Sequence, residues 1–295
     1  VTILIANFFG FSVVITNIYL FFLPLWFFMI TKLQDPEKAL TFSFIKSKYE
    51  KVSTGQWTLV SLLGGTSLFL IFLLIRFWQA DVAYALGNNL DKIGDYQNAY
   101  AHVTRAATIR PNEPVFQDEL ALNLATIATA LYKTDQASTA AQLASQAVNI
   151  NDQIVSSHPN NVVYWKSRTR ILYMLNDVNP SYGKPALDAI LVAQKLAPTD
   201  AKISYNVGVI QGKNGEIDNA IKSLTQTIHL KKDYRDAYFA RGLFLRQLAT
   251  NEGGFVINQD MAKKATADML YILKNLNVDD EEVIKLLKEW KVALP

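Results

Sequence analysis

Three histidines carry the side chain best suited to proton transfer near neutral pH, His102, His158 and His229, and they lie far apart along the chain. None has the nucleophile or carboxylate neighbours that a catalytic constellation needs. The sequence has no cysteine, which excludes disulfides, thiolate metal sites and cysteine nucleophiles. The only Gly-Gly-Thr run, residues 64–66, stands inside an apolar stretch and is no phosphate loop. No His, Asp and Glu cluster has metal-ligand spacing. No catalytic, cofactor-binding or metal-ligating residue is therefore assigned, and the chemistry left is non-covalent recognition.

The elements that would position such recognition fall into two unlike parts. No charged residue occurs between Val1 and Ile30, nor between Trp57 and Ile75. Each run reaches the roughly 20 apolar residues needed to cross about 30 Å of hydrocarbon. The first is long for one span; it reads either as one tilted helix or as the end of one segment followed by a helix from about Val13 to Thr31. Pro24 is placed to kink that helix. The second is bounded by Trp57 and Trp78 as interfacial anchors, and Gly64 and Gly65 leave room for close approach of another helix. Between the runs, Asp35, Pro36 and Glu37 open a short helix. Phe42, Ile45 and Tyr49 give it an apolar face for the membrane surface, a flexible linker being the alternative. The chain starts with Val1 and no basic n-region, so it is expected to be the C-terminal piece of a longer membrane protein.

Charge follows the same division. Residues 1–80 hold six basic residues (Lys32, Lys38, Lys46, Lys48, Lys51, Arg76) and three acidic ones (Asp35, Glu37, Glu50). Of the 29 basic and 26 acidic residues in all, 23 of each remain beyond residue 80. That balance gives no reason to expect nucleic acid as a partner. Five lysines between the spans predict a cytoplasmic loop under the positive-inside rule, and so an extracytoplasmic C-terminal region.

That C-terminal region repeats. Leu86, Gly87, Leu90, Gly94, Ala99, Val103, Ala106 and Pro111 describe a helix, a glycine break and a second helix ended by proline. Val207, Gly208, Gln211, Gly215, Ala220, Leu224 and Thr227 repeat the spacing, with Lys232 in the proline position. Gly242 follows Gly208 at the same register, with Leu245 after it. The insertion NEGGFVINQD then displaces the partner helix of Ala265, Met269 and Ile272. Trp165, Thr169 and Leu172 pair with Ala186, Ile190 and Ala193 across the loop NDVNPSYGK, entered through Pro185. A stretched pair, Phe116–Tyr132 and the alanine-rich Asp135–His158, fills the interval. Asp279 or Asp280 caps a last helix over Glu281–Val292 with a polar outer face. Two antiparallel helices in about 34 residues, with small residues at the crossing, is the tetratricopeptide (TPR) pattern, and residues 80–295 resemble that family in five helical pairs. The expected fold is all-α: two transmembrane helices (1–31 and 57–79) joined by a basic loop (32–56), then a TPR-type α-solenoid.

The resemblance implies a groove made by the first helix of each pair. It places Asp81, Tyr84, Asn88 and Asp91 there from the first unit and Lys166, Arg170 and Tyr173 from the third. The fourth adds Lys202 and Tyr205, with Lys213 one place off the pattern, and the fifth adds Asp236, Phe239 and Arg246. Some TPR proteins hold chaperone C-termini with a Lys/Asn clamp. Here only Asn88 matches it and Tyr84 stands in the Lys position, so that activity is not carried over. The groove reads as aromatic and basic, suited to an acidic or extended protein or peptide partner, the alternative being a solvated face without ligand.

A second resemblance lies in "NFFGFSVVITNIYLFFLPLW", which looks like the last membrane segment of bacterial O-antigen ligase and polymerase-like proteins. Some of these continue, as here, through a basic loop, a span and a TPR array. The resemblance implies the C-terminal part of a glycan-transfer protein of the bacterial cytoplasmic membrane, with the array in the cell envelope. The basic residues that serve catalysis in that family lie in an upstream loop, so none is assigned here. A free-standing membrane-anchored TPR adaptor or a spacer in envelope assembly remains the alternative.

Overall fold

The structure is a computed structural model of the 295-residue chain, and it describes residues 54–294 together with Leu23 and Trp26. The apolar segment 1–31 apart from Leu23 and Trp26, most of the basic loop 32–56, the amphipathic pattern of Phe42, Ile45 and Tyr49 and most of the ligase-like motif lie outside the described residues. The described residues from Ile71 onward form one compact unit.

The first described helix, α1, runs over Thr54–Lys92. The expected boundary near residue 79 is thus not a break, because no glycine or proline interrupts the helical register between Trp78 and Lys92 apart from Gly87, which the helix accommodates at a crossing. Its segment from Trp57 onward has an 18-residue window of mean hydropathy 2.3 with none of that window buried, and among the described residues it is the one helix long and apolar enough to cross a membrane. The other expected transmembrane helix, 1–31, falls among residues the structure does not describe, apart from Leu23 and Trp26.

Ten helices follow: α2 (Tyr96–Ile109), α3 (Pro114–Tyr132), α4 (Ala137–Ser157), α5 (Val162–Leu175) and α6 (Gly183–Leu196, entered by a 3-10 turn at Pro180–Tyr182). Then come α7 (Ala201–Lys213), α8 (Ile217–Leu230), α9 (Arg235–Ala249), α10 (Gln259–Tyr271) and α11 (Glu281–Glu289). From α3 onward they pack as successive hairpins, α3 on α4, α5 on α6, α7 on α8 and α9 on α10, each hairpin resting on the next. The described residues contain a single isolated β-bridge, Thr250 to Val256, at the base of the insertion. This is an all-α, TPR-like solenoid.

Small residues set the crossings. A Cβ added to Gly87 would stand 2.4 Å from Val103 Cγ2, one on Gly208 2.7 Å from Leu224 Cγ, and one on Gly242 2.6 Å from Met269 Cε. The three glycines are therefore equivalent joints where the partner helix presents a bulky side chain. Leu224 and Met269 are fully buried against them, and each such burial is worth about 1.5–3 kcal/mol. The long hairpin solves the problem differently: Ala121, Ala125, Ala128, Ala140, Ala144 and Ala147 are all buried, so alanines on both helices replace the glycine joint.

The first, second and fourth hairpin turns share one geometry. Gly94 and Gly215 both have φ +84°, and Asp135 occupies the same place with φ +60°. Each is followed by a Schellman bond, Asp95 N to Leu90 O at 3.0 Å, Gln136 N to Leu131 O at 3.1 Å and Glu216 N to Gln211 O at 2.8 Å. Helix α11 is capped by Asp280, whose carboxylate accepts from Val283 N, and ends at Glu289 rather than Val292. Helix α10 passes into a π-helical turn, Ile272–Leu276. Its wider turn lets both Ile272 and Leu273 face the core.

Candidate functional site

The face made by the first helices carries a cavity of about 540 Å³. It is built from α3, α5 and α7. Lys166, Arg170 and Tyr173 line it from one face of α5, at i, i+4 and i+7. The opposite face buries Ile171, Leu172 and Leu175, which holds α5 in that rotation. Asn161 caps its start by accepting from Val163 N at 3.0 Å. Lys202, Asn206 and Val209 repeat the spacing on α7, capped by Asp200. The expected register of the third and fourth hairpins thus brings Lys166, Arg170, Tyr173 and Lys202 together.

Arg170 and Lys202 are exposed, and among the described residues neither has a carboxylate within salt-bridge distance. Lys166 Nζ lies 3.9 Å from Asp200 Oδ2. Lys213, one place off the pattern, enters through Tyr173: its ammonium sits 4.2 Å from the ring centroid and donates to Asp177 Oδ1 at 3.0 Å. Lys202 also borders a neighbouring cavity of about 560 Å³ with Tyr205, Tyr234 and Asp236. There Tyr205 and Tyr234 stack at 5.2 Å, and burial, then Asp236, raises the Tyr205 phenol above its ordinary value.

The remaining predicted residues are placed elsewhere. Tyr84 stacks on Phe116 at 5.0 Å, and Asn88 donates to Glu119 Oε1 at 3.0 Å across α1 and α3. Phe239 packs beside the core under α11, with the Arg235 guanidinium 4.4 Å over its ring. Arg246 lies 5.0 Å over the Trp290 indole. Both are engaged by the chain itself and stand apart from the central cavity.

Sequence reasoning missed the contribution of α3. Asp118 lines the central cavity beside Lys166, Arg170 and Lys202. Burial pushes its carboxyl up to about 6, against hydrogen bonds from Ser167 and Asn151, with Glu119 adding to the rise. Glu119 is raised by burial and then by Asp91; Asp91 is raised by burial, although Asn123 donates to it at 2.6 Å. The groove expected to be aromatic and basic holds Lys166, Arg170, Tyr173 and Lys202 at its centre, and α3 adds the carboxylates Asp118 and Glu119 to the Asp91 already placed there from α1. The signal was available, because Asp118 and Leu122 stand at the i, i+4 spacing that Lys166 and Arg170 use on α5. The stretched length of α3 and α4 concealed it. Among the described residues no group of three metal-ligating side chains forms.

No family model matches the chain, and no curated protein sequence matches it. Solved structures similar to it include MamA from Desulfovibrio magneticus RS-1, 15% identical with a TM-score of 0.48, covering 72% of this chain and 96% of that one. The thermophilic TPR protein TTC0263 of Thermus thermophilus is 17% identical with a TM-score of 0.47, covering 71% and 97%. YrrB, a TPR protein with an unusual peptide-binding site, is 14% identical with a TM-score of 0.43, covering 70% and 90%.

Proposed function

We propose that the chain is a membrane-anchored interaction module whose groove holds an extended protein or peptide segment bearing acidic side chains. The observation that carries this is the pair Arg170 and Lys202, exposed on one cavity wall without carboxylate partners among the described residues, flanked by Tyr173. An unpaired guanidinium presents a planar fork that matches a carboxylate, and tyrosines supply packing area at low entropic cost. The apolar, unburied part of α1 supports the anchor. The five lysines of the preceding loop favour an extracytoplasmic array on a bacterial cytoplasmic membrane. The order of spans, loop and repeats supports an O-antigen ligase-like glycan-transfer parent, in which this region recruits a partner and does no chemistry itself.

The test is binding of a fluorescent Asp/Glu-rich peptide to the full chain in detergent. Arg170→Ala weakens it, and Lys222→Ala, on the second helix of its hairpin, leaves it unchanged. Absence of binding to the unaltered chain favours an inert spacer. Protease added to intact spheroplasts digests residues 81–295 under the proposed topology, and full protection overturns it.

A further inference from the structure

We propose that the groove selects a segment of mixed charge, with acidic side chains over Lys166, Arg170 and Lys202 and a basic side chain over Asp91, Asp118 and Glu119. This rests on the function proposed above and specifies its ligand class. Asp118 borders the same cavity as the three cations, so any occupant touching them also meets a carboxylate. Asp91 and Glu119, from α1 and α3, are near enough that the Asp91 charge raises the Glu119 carboxyl. The amides of Asn88 and Asn123 donate to Glu119 and Asp91 at 3.0 and 2.6 Å respectively. Lys92 acts on Glu119, and Arg170 on both Glu119 and Asp91. Yet among the described residues no basic side chain lies within 4.0 Å of any of the three carboxylates.

The arrangement is thus a partly desolvated carboxylate group lacking a close cation, next to a cationic group lacking a close anion at Arg170 and Lys202. A ligand ammonium or guanidinium beside the carboxylates would form charge-assisted hydrogen bonds. A wholly acidic segment long enough to reach both parts would set like charges against Asp91 and Glu119, which discriminates against it. A polyanion is disfavoured for the same reason, and a wholly basic segment is repelled at the centre.

The experiment uses fluorescence anisotropy with the full chain in detergent at low salt and three labelled peptides of equal length. One carries only Asp, one only Lys, and one a Lys pair spaced by Gly and Ser from an Asp triplet. The mixed peptide binds roughly three- to tenfold tighter than the acidic one, and the basic one binds weakest. The double variant Asp91→Asn with Glu119→Gln removes the advantage of the mixed peptide, while the acidic peptide binds equally or more tightly. Its melting curve is recorded to show that the fold persists. Equal binding of acidic and mixed peptides, or an advantage that survives the double variant, overturns the mixed-charge proposal and leaves the proposed function standing. Failure of every peptide to bind, or tightest binding of the basic one, overturns both.

Discussion

The fifth hairpin and the middle of the array use the same residue types for opposite ends. In the fifth, every arginine is occupied by the chain. Arg241 grips Asp268 with two hydrogen bonds of 2.9 and 2.6 Å, and also reaches Thr225 of the preceding hairpin. Arg235 bonds both oxygens of Asp280 at 2.9 Å and reaches Glu282, fastening the last helix to α9. Arg246 lies over Trp290. In the third and fourth hairpins Arg170 and Lys202 are exposed and lack such partners among the described residues, and a carboxylate with a raised pKa stands beside them. The difference teaches that charge on the first helices serves two roles. Where the stack must end it is committed to closure, and where the groove is open Arg170 and Lys202 stay without a close carboxylate among the described residues, as the proposed ligand site requires.

The largest effect expected from breaking this contrast is at Arg241. Arg241→Leu leaves Asp268, whose side chain is 8% exposed, buried without its partner, and should destabilise the array by roughly 3 kcal/mol. Arg170→Leu should stay within about 0.5 kcal/mol of the unaltered chain. Chemical denaturation followed by circular dichroism measures both, and equal losses would erase the distinction between the two regions. Next comes the joint: Gly208→Leu forces a side chain into Leu224 and Ala220 O. It should lower stability by about 1–3 kcal/mol in a thermal melt, and an unchanged curve would contradict the hairpin geometry.

Binding sharpens the same comparison. Arg170→Ala or Tyr205→Ala should weaken an acidic peptide by at least about 1 kcal/mol, whereas Arg246→Ala, already engaged by Trp290, should not. Titration by anisotropy separates them. Affinity for that peptide should also rise severalfold as pH falls from 7.5 to 5.5. Asp118, which lines the same cavity as Lys166 and Arg170, loses its negative charge through about 6, removing a like charge from beside the peptide's carboxylates. For folding the sign is the reverse of an ordinary ion-paired aspartate. The raised folded value means stability falls as pH rises from the unfolded value near 3.8 to about 6, and is level above. Asp118→Asn should flatten both profiles. The smallest effect is at the second turn, where Asp135→Gly relieves a positive φ and should add about 0.5–1 kcal/mol, read as a small rise in melting temperature.

The helical pairs were legible because their determinants are local. Gly87, Gly208 and Gly242 announce close crossings, Gly94 and Gly215 announce left-handed turns, and Asp280, one of the two aspartates expected to do so, caps the last helix. The groove positions of Lys166, Arg170, Tyr173 and Lys202 were what the TPR resemblance implied, and these four side chains line one cavity. The long hairpin hid its groove positions, since Asp135 replaced the turn glycine and alanines replaced the joint glycine. The continuation of α1 past Trp78 was also hidden, because a change of composition from apolar to polar does not itself stop a helix.

By itself, then, the sequence determined the helical periods, the caps, the turns and the small residues that let two helices touch, all of which are set by residues within a few turns of one another. It also determined the absence of thiol chemistry. Only the tertiary structure decided which charges are free. Arg246 and Arg170 look alike in a list of first-helix residues, yet one faces Trp290, far along the chain, and the other faces an open cavity. Asp118 is half-buried and Asp268 buried, yet only Asp268 has an arginine in hydrogen-bonding contact. The protonation and availability of a side chain depend on burial and on neighbours brought close through space, and those are properties of the stacked hairpins rather than of any one of them.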